Sequence, residues 1–242
     1  MPDTIAPASA ATVASKSLAA RVVGVLTSPR DTYAQVAARP RWLGAFLVAV
    51  LVAGLAGAVF SATEVGQRAI FDQQVSQMEA WGRHLTDAEM QRMEGMLPNY
   101  KYMAPVFQFA FFGIAGLVVA GAAFAVFSGL MGGDATFKHV FAVVAHSGVV
   151  LALEALFSLP LNYARETMSS PTSLMVFLPM LDETSFAARL LGSFDLFRIW
   201  WAINLSIGLG VLYRRRTAPI AWSMVIIYIA LAVLYAAAVT AL

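Results

Sequence analysis

Apolar residues along this chain come in blocks. Residues 42–62, 104–131, 139–160, 196–213 and 218–242 are nearly unbroken runs of Ala, Val, Leu, Ile, Phe and Gly. A helix rises about 1.5 Å per residue, so roughly 20 residues cross about 30 Å of hydrocarbon. Each run is long enough, or nearly so; 196–213 is the shortest and starts polar. Backbone amides in lipid must be satisfied within their own segment or in a closed barrel. The runs lack the alternation of barrel strands. The pattern predicts an all-α membrane protein with five transmembrane helices.

Between the runs, the periodicity turns helical but amphipathic. Residues 1–16 read as a mobile Ala/Ser/Thr-rich tail with no leader-like apolar core. Residues 17–41 read as two short amphipathic helices, with Leu18, Val22, Val25 and Leu26 on one stripe. Ser28-Pro29-Arg30-Asp31 then restarts the helix: Ser28 as cap, Pro29 at the first position, Asp31 closing a capping box. This pair could lie in the inner headgroup layer or pack on the bundle. Residues 63–103 form a predicted helical outer loop. Its stripe is Ile70, Phe71, Val75, Met78 and Leu85, and Thr86-Asp87-Ala88-Glu89 is a second capping box. The second outer loop is broken by Pro171 and Pro179, and residues 174–181 are apolar enough to dip into the interface.

Composition agrees with the membrane reading. Sixty per cent of the 242 residues are hydrophobic, 12% are charged and mean hydropathy is +0.72. A soluble domain carries about 25% charged residues. Cysteine is absent, which excludes disulfides and thiolate chemistry. The net charge of +2 and pI near 9.0 rest on few charges, so nucleic acid is not an expected partner. Of the 16 Lys and Arg, nine (Lys16, Arg21, Arg30, Arg39, Arg41, Lys138, Arg214, Arg215, Arg216) fall on one side of the five-span topology. That side is predicted cytoplasmic by the positive-inside rule, with the N-terminus inside and the C-terminus outside. Arg21, Arg30, Arg41, Arg214, Arg215 and Arg216 are candidate contacts for anionic lipid headgroups or a protein partner.

Few residues carry candidate chemistry. Glu154 sits inside the third run, where an acid is costly and faces the bundle interior or water. Ser147, Glu154 and Ser158 share its helical face, with His146 one residue round. The site could be protonatable, for transport or headgroup contact. A structural Glu, neutral or hydrogen-bonded to another helix, is the reading preferred. Asn204 and Ser206 in the fourth run suit interhelical hydrogen bonds. Small residues recur every fourth position at Ala49, Ala53, Gly57 and Ser61, at Gly121, Ala125 and Gly129, and at Ala202, Ser206 and Gly210. Such stripes admit close helix packing, within the chain or between copies. Gly132-Gly133-Asp134 lacks a phosphate-loop ending and reads as a tight turn, with a helix cap at Asp134 or Thr136. The three histidines have no metal-ligand spacing. No catalytic, cofactor or metal site is predicted.

Three short motifs together resemble a known family. They are Ser28-Pro29-Arg30-Asp31-Thr32-Tyr33 leading to Pro40-Arg41-Trp42, Gly132-Gly133-Asp134 with Phe137, Lys138 and Ser147, and Asp195-Leu196-Phe197-Arg198-Ile199-Trp200 with Gly208. Their order is similar to that of bacterial YIP-domain proteins, whose eukaryotic relatives are the Ypt/Rab-interacting YIP proteins. The resemblance covers residues 28–240 apart from the first outer loop. It implies five spans, a cytoplasmic N-terminus and a non-enzymatic scaffold or membrane organiser in the bacterial cytoplasmic membrane. Pro29, Gly132, Gly133, Asp195, Phe197 and Trp200 are its motif residues. His146 stands where an aromatic residue is usual, and a proline near Val149 is missing. Asp195 also has a local role, capping the fourth span with Ser193 and within reach of Arg198. The alternative function is a small transporter or lipid-handling protein built on Glu154.

Overall fold

The structure is a computed structural model describing residues 17–182 and 185–240. The predicted tail and residues 241–242 lie outside the described residues. Among the described residues, ten α-helices follow in order: α1 Leu18–Thr27, α2 Pro29–Ala38, α3 Trp42–Ser61, α4 Glu64–Ala80, α5 Asp87–Gly95, α6 Tyr100–Phe124, α7 Phe137–Arg165, α8 Phe186–Ser193, α9 Leu196–Leu212 and α10 Thr217–Thr240. Among the described residues, four helical stretches are long and apolar enough to cross a membrane. These are α3, the stretch ending in α6 and its extension, α7 and α10. The fourth predicted span, α9, is apolar but only 17 residues long. At 1.5 Å per residue it covers about 26 Å, at the short end of what a crossing needs.

The predicted boundaries shift for identifiable reasons. α7 runs past Pro160 to Arg165, five residues beyond the predicted end. A proline removes only one backbone N–H, and the carbonyl it leaves, that of Leu156, sits in an exposed turn. α6 starts at Tyr100 and continues as a π-helical turn over Ala125–Leu130. Pro29 opens α2 as expected, but Ser28 makes no side-chain cap bond. It is a one-residue link that already donates its N–H to Gly24 O at 2.8 Å to close α1. That duty holds its backbone at φ −145°, ψ 65°, so the Ser28–Asp31 capping box does not form. The Thr86–Glu89 box forms completely, and Ser17 caps α1. The Thr86 backbone N–H, then the Thr86 hydroxyl and Arg83, hold the Glu89 carboxyl below the usual carboxylate range. In the second outer loop Leu174–Phe177 is a single 3-10 turn with Phe177 exposed. Residues 186–193 form α8, a helix the pattern did not predict.

The bundle is built around α7, whose first half is buried almost completely from Val140 to Val150. α3, α6 and α9 pack against it. A hydrophobic core cluster lies at the end where α1 and α2 sit. There Val25, Tyr33 and Val36 meet Val140, Val143, Leu205 and Leu209. The amphipathic pair is therefore packed on the bundle, against α7 and α9. In lipid, such packing is driven by close contact and hydrogen bonds more than by hydrophobic burial. Gln108 of α6 adds one such bond, donating to Ala53 O of α3 at 3.1 Å.

The small-residue stripes divide. Ala202, Ser206 and Gly210 are buried, as are Ala49, Ala53 and Ser61. In α6 and its π-helical extension, by contrast, a Cβ at Gly121 or Gly129 would meet nothing within 4 Å, so that stripe is not an intrachain packing surface. Gly208 is the opposite case: a Cβ there would stand 2.5 Å from Val143 Cγ1 and 3.0 Å from the Tyr33 ring. Gly208→Ala should therefore destabilise the protein by about 1–3 kcal/mol through overpacking. Gly121→Ala should leave the unfolding temperature unchanged or raised. Thermal unfolding of both variants in the same detergent checks this.

Candidate functional site

The polar residues singled out in the sequence do not form one cluster. They separate into three groups along the bundle.

The first group ties α1 and α2 into the membrane domain. Asn204 lies midway along α9 and is 2% exposed. Its Nδ2 donates to Val25 O at 2.8 Å, and Tyr33 Oη donates to its Oδ1. Tyr33 is fully buried, and burial raises its phenol well above the usual value. Arg21 is also turned inward, donating from Nη1 to Arg41 O at 3.3 Å. Burial, then the nearby Arg41 charge, lowers its pKa from the ordinary arginine value. Arg21 is thus part of the packed joint, while Arg30, Arg41, Arg214, Arg215 and Arg216 stay exposed.

The second group lies in α7. His146 is fully buried and its Nδ1 is 2.7 Å from Ala142 O. A carbonyl only accepts, so Nδ1 carries the proton and Nε2 presents a lone pair; that Nε2 has no partner among the described residues. Ser147 donates to Val144 O at 2.8 Å and accepts from Trp201 Nε1 at 3.1 Å, joining α7 to α9.

The third group is at the opposite end. Asp195 caps α9, its Oδ1 accepting from the Phe197 and Arg198 N–H groups at 2.8 and 3.2 Å. Its Oδ2 accepts from Thr172 at 2.6 Å and from Ser170. The predicted cap is there, but its helpers differ. Ser193 donates instead to Arg189 O, and Arg198 makes no ion pair with Asp195 among the described residues. A carboxylate has several acceptor positions, and backbone donors from the first turn of α9 and hydroxyl donors from the loop before α8 fill them. Glu154 and Ser158 are half-buried, and Glu154 feels the charges of Asp195 and Arg198. Phe197 stacks at a tilt between Phe157 and Trp200.

A cleft of about 680 Å³ opens at the α1–α2 end, where α2, the α6–α7 turn and the α9–α10 turn meet. Ala34, Ala37 and Ala38 form one wall; Gly132, Gly133, Asp134 and His139 form the second; Tyr213, Arg214 and Arg215 form the third. Gly132 takes φ +67°, a conformation glycine adopts freely. A Cβ on Gly133 would stand 2.6 Å from the Tyr213 ring. Thr136 occupies the N-cap of α7 without a side-chain cap bond; its hydroxyl meets His139 Nδ1 at 2.8 Å. α9 ends in a Schellman motif, with Arg215 N bonded to Gly210 O at 2.9 Å and Arg214 N to Val211 O at 3.3 Å. Its left-handed position, φ 53°, is held by Arg214 where glycine would be relaxed.

In the sequence Tyr33 stands out only as the last residue of the Ser28–Tyr33 motif and Gln108 not at all, because a lone Tyr or Gln gives no pattern that names its partner. With this geometry described, comparison with known proteins gives one match: the model of the Yip1 domain covers residues 23–240. No curated protein and no solved structure is significantly similar to the chain.

Two predictions follow from the ties. Tyr33→Phe and Asn204→Leu should each cost about 1–3 kcal/mol, because each leaves a buried partner unpaired. The double variant should cost clearly less than the two added together, as a double-mutant cycle of unfolding in detergent will read. Asp195→Ala should cost about 1–2 kcal/mol through the lost cap. Its signature is faster proteolysis in residues 170–200, with the α1–α2 end unaffected.

Proposed function

This chain belongs to the Yip1 domain family, and we propose that it works as a non-enzymatic, multi-pass membrane scaffold. Its docking platform is α1–α2, presented on the cytoplasmic side of a bacterial inner membrane. The observation that carries this reading is the buried tie of Val25 and Tyr33 to Asn204. An amphipathic pair that merely floated among headgroups would need no hydrogen bonds to a transmembrane helix. Tied down, it presents a fixed outward face that includes Val23, 57% exposed, and Arg30. A preorganised surface saves ordering entropy on binding a partner. The excess of Lys and Arg on this side supports its cytoplasmic placement.

The transporter reading has less support. Ser147, the predicted neighbour of Glu154 on its face, is engaged with Trp201. Glu154→Gln should then leave partner binding and envelope phenotype unchanged at equal expression; a loss of solute or lipid flux in vesicles would favour the carrier instead.

The scaffold reading is tested by affinity capture of tagged protein from native membranes in mild detergent. Surface variants replace deletion of the platform, since deletion would strip Asn204 of both partners. A stoichiometric partner should be recovered with the wild type and lost with Val23→Glu or Arg30→Glu. Recovery of folded protein alone, or a partner indifferent to both variants, would overturn the platform.

A further inference from the structure

The cleft between α2 and the two turns plays no part in the platform, whose Val23 and Arg30 do not line it. We infer that it is a binding site for a phosphate ester, carried by a lipid headgroup or by a small soluble molecule.

Arg214 and Arg215 line it side by side. Both are exposed, and neither makes an ion pair among the described residues. Guanidinium groups match phosphate oxygens by paired, charge-assisted hydrogen bonds. The Schellman turn fixes where the two side chains start. Arg214 takes the left-handed position there, so a strained residue stands where glycine would be relaxed, and that residue lines the cleft.

Space and polarity fit the same ligand class. The alanines of α2 leave the opposite wall free of bulk, and the volume of about 680 Å³ exceeds what a phosphate alone requires. The remainder can hold a glycerol or similar polar group. Asp134 and His139 offer acceptor and donor positions for its hydroxyls. Arg216 belongs to the same basic turn but does not line the cleft. A diffuse attraction to an anionic surface would use all three arginines alike. A built cleft would use only the two.

The test is calorimetric titration of the full chain in an uncharged detergent. The probes are dihexanoyl phosphatidylglycerol and, separately, glycerol phosphate, with thermal unfolding of each variant run alongside. Wild type should bind one equivalent saturably. Arg214→Gln and Arg215→Gln should each weaken binding about tenfold or more, the usual loss for a hydrogen bond to a charged group. Ala34→Leu keeps every charge and projects bulk into the cleft from an exposed position of α2, so it should weaken binding as well. Arg216→Gln should change it less than about twofold. Tighter binding of the lipid assigns the site to a headgroup, and equal or tighter binding of glycerol phosphate assigns it to a soluble ester. The inference is overturned if neither probe saturates. It also fails if the three arginine variants weaken binding alike while Ala34→Leu does nothing. Should an arginine variant not fold, Ala34→Leu against Arg216→Gln decides. Val23→Glu, which tests the platform, should leave the titration unchanged, so the two readings fail separately.

Discussion

An amide in the middle of an apolar helix must find partners, because lipid offers none. Asn204 finds both of its partners outside the membrane-spanning helices, in the carbonyl of Val25 and the phenol of Tyr33. The rest of the arrangement depends on this. α9 is the shortest of the five apolar helices, and its buried half ends among α1, α2 and the first half of α7. The two amphipathic helices complete a wall of the bundle that five transmembrane helices would leave open. Gly208, one turn along from Asn204, lets the Tyr33 ring lie close against the helix. Removing the polar tie would leave two buried groups unpaired and a packed aromatic ring without its anchor.

What was legible in the sequence is what local physics determines. The four long helices, the short α9, the Thr86–Glu89 box and the Asp195 cap all rest on residues within a few positions of each other. The family resemblance was legible for the same reason, through short ordered motifs, and the Yip1 domain match extends it over residues 23–240. Ser28 misled because two helices compete for one residue. α8 was missed because eight residues after a proline-broken loop give too little periodicity. The partners of Asn204 could not be read at all. They lie 171 and 179 residues away, and nothing local connects them. Small-residue spacing likewise announced close packing without saying against what: two stripes are buried, and the Gly121 stripe faces away.

The two ends of the molecule solve the polar problem differently. At the Asp195 end a carboxylate gathers donors from the loop preceding it, so the helix start and that loop are fixed together. At the α1–α2 end the polar groups divide. Some are sealed inside the joint, as Arg21 and Asn204 are, and others line an open cleft, as Arg214 and Arg215 do. Ser128 and Tyr213 bridge the two turns that frame this cleft, their hydroxyls 2.8 Å apart. The cleft therefore has two walls braced against each other by a hydrogen bond and one, from α2, held by the Asn204 joint.

The 179-residue separation between Val25 and Asn204 also sets an order of events during synthesis. α1 and α2 leave the ribosome long before the residue that anchors them. At about 5–20 residues per second, that interval is roughly ten to forty seconds. Through it the apolar stripe of the pair has no native seat, and the nascent chain must shelter it against lipid, the early helices or a chaperone. Docking of the N-terminal pair can be completed only after α9 has inserted, so a seated pair marks a chain whose fourth hydrophobic run is in place.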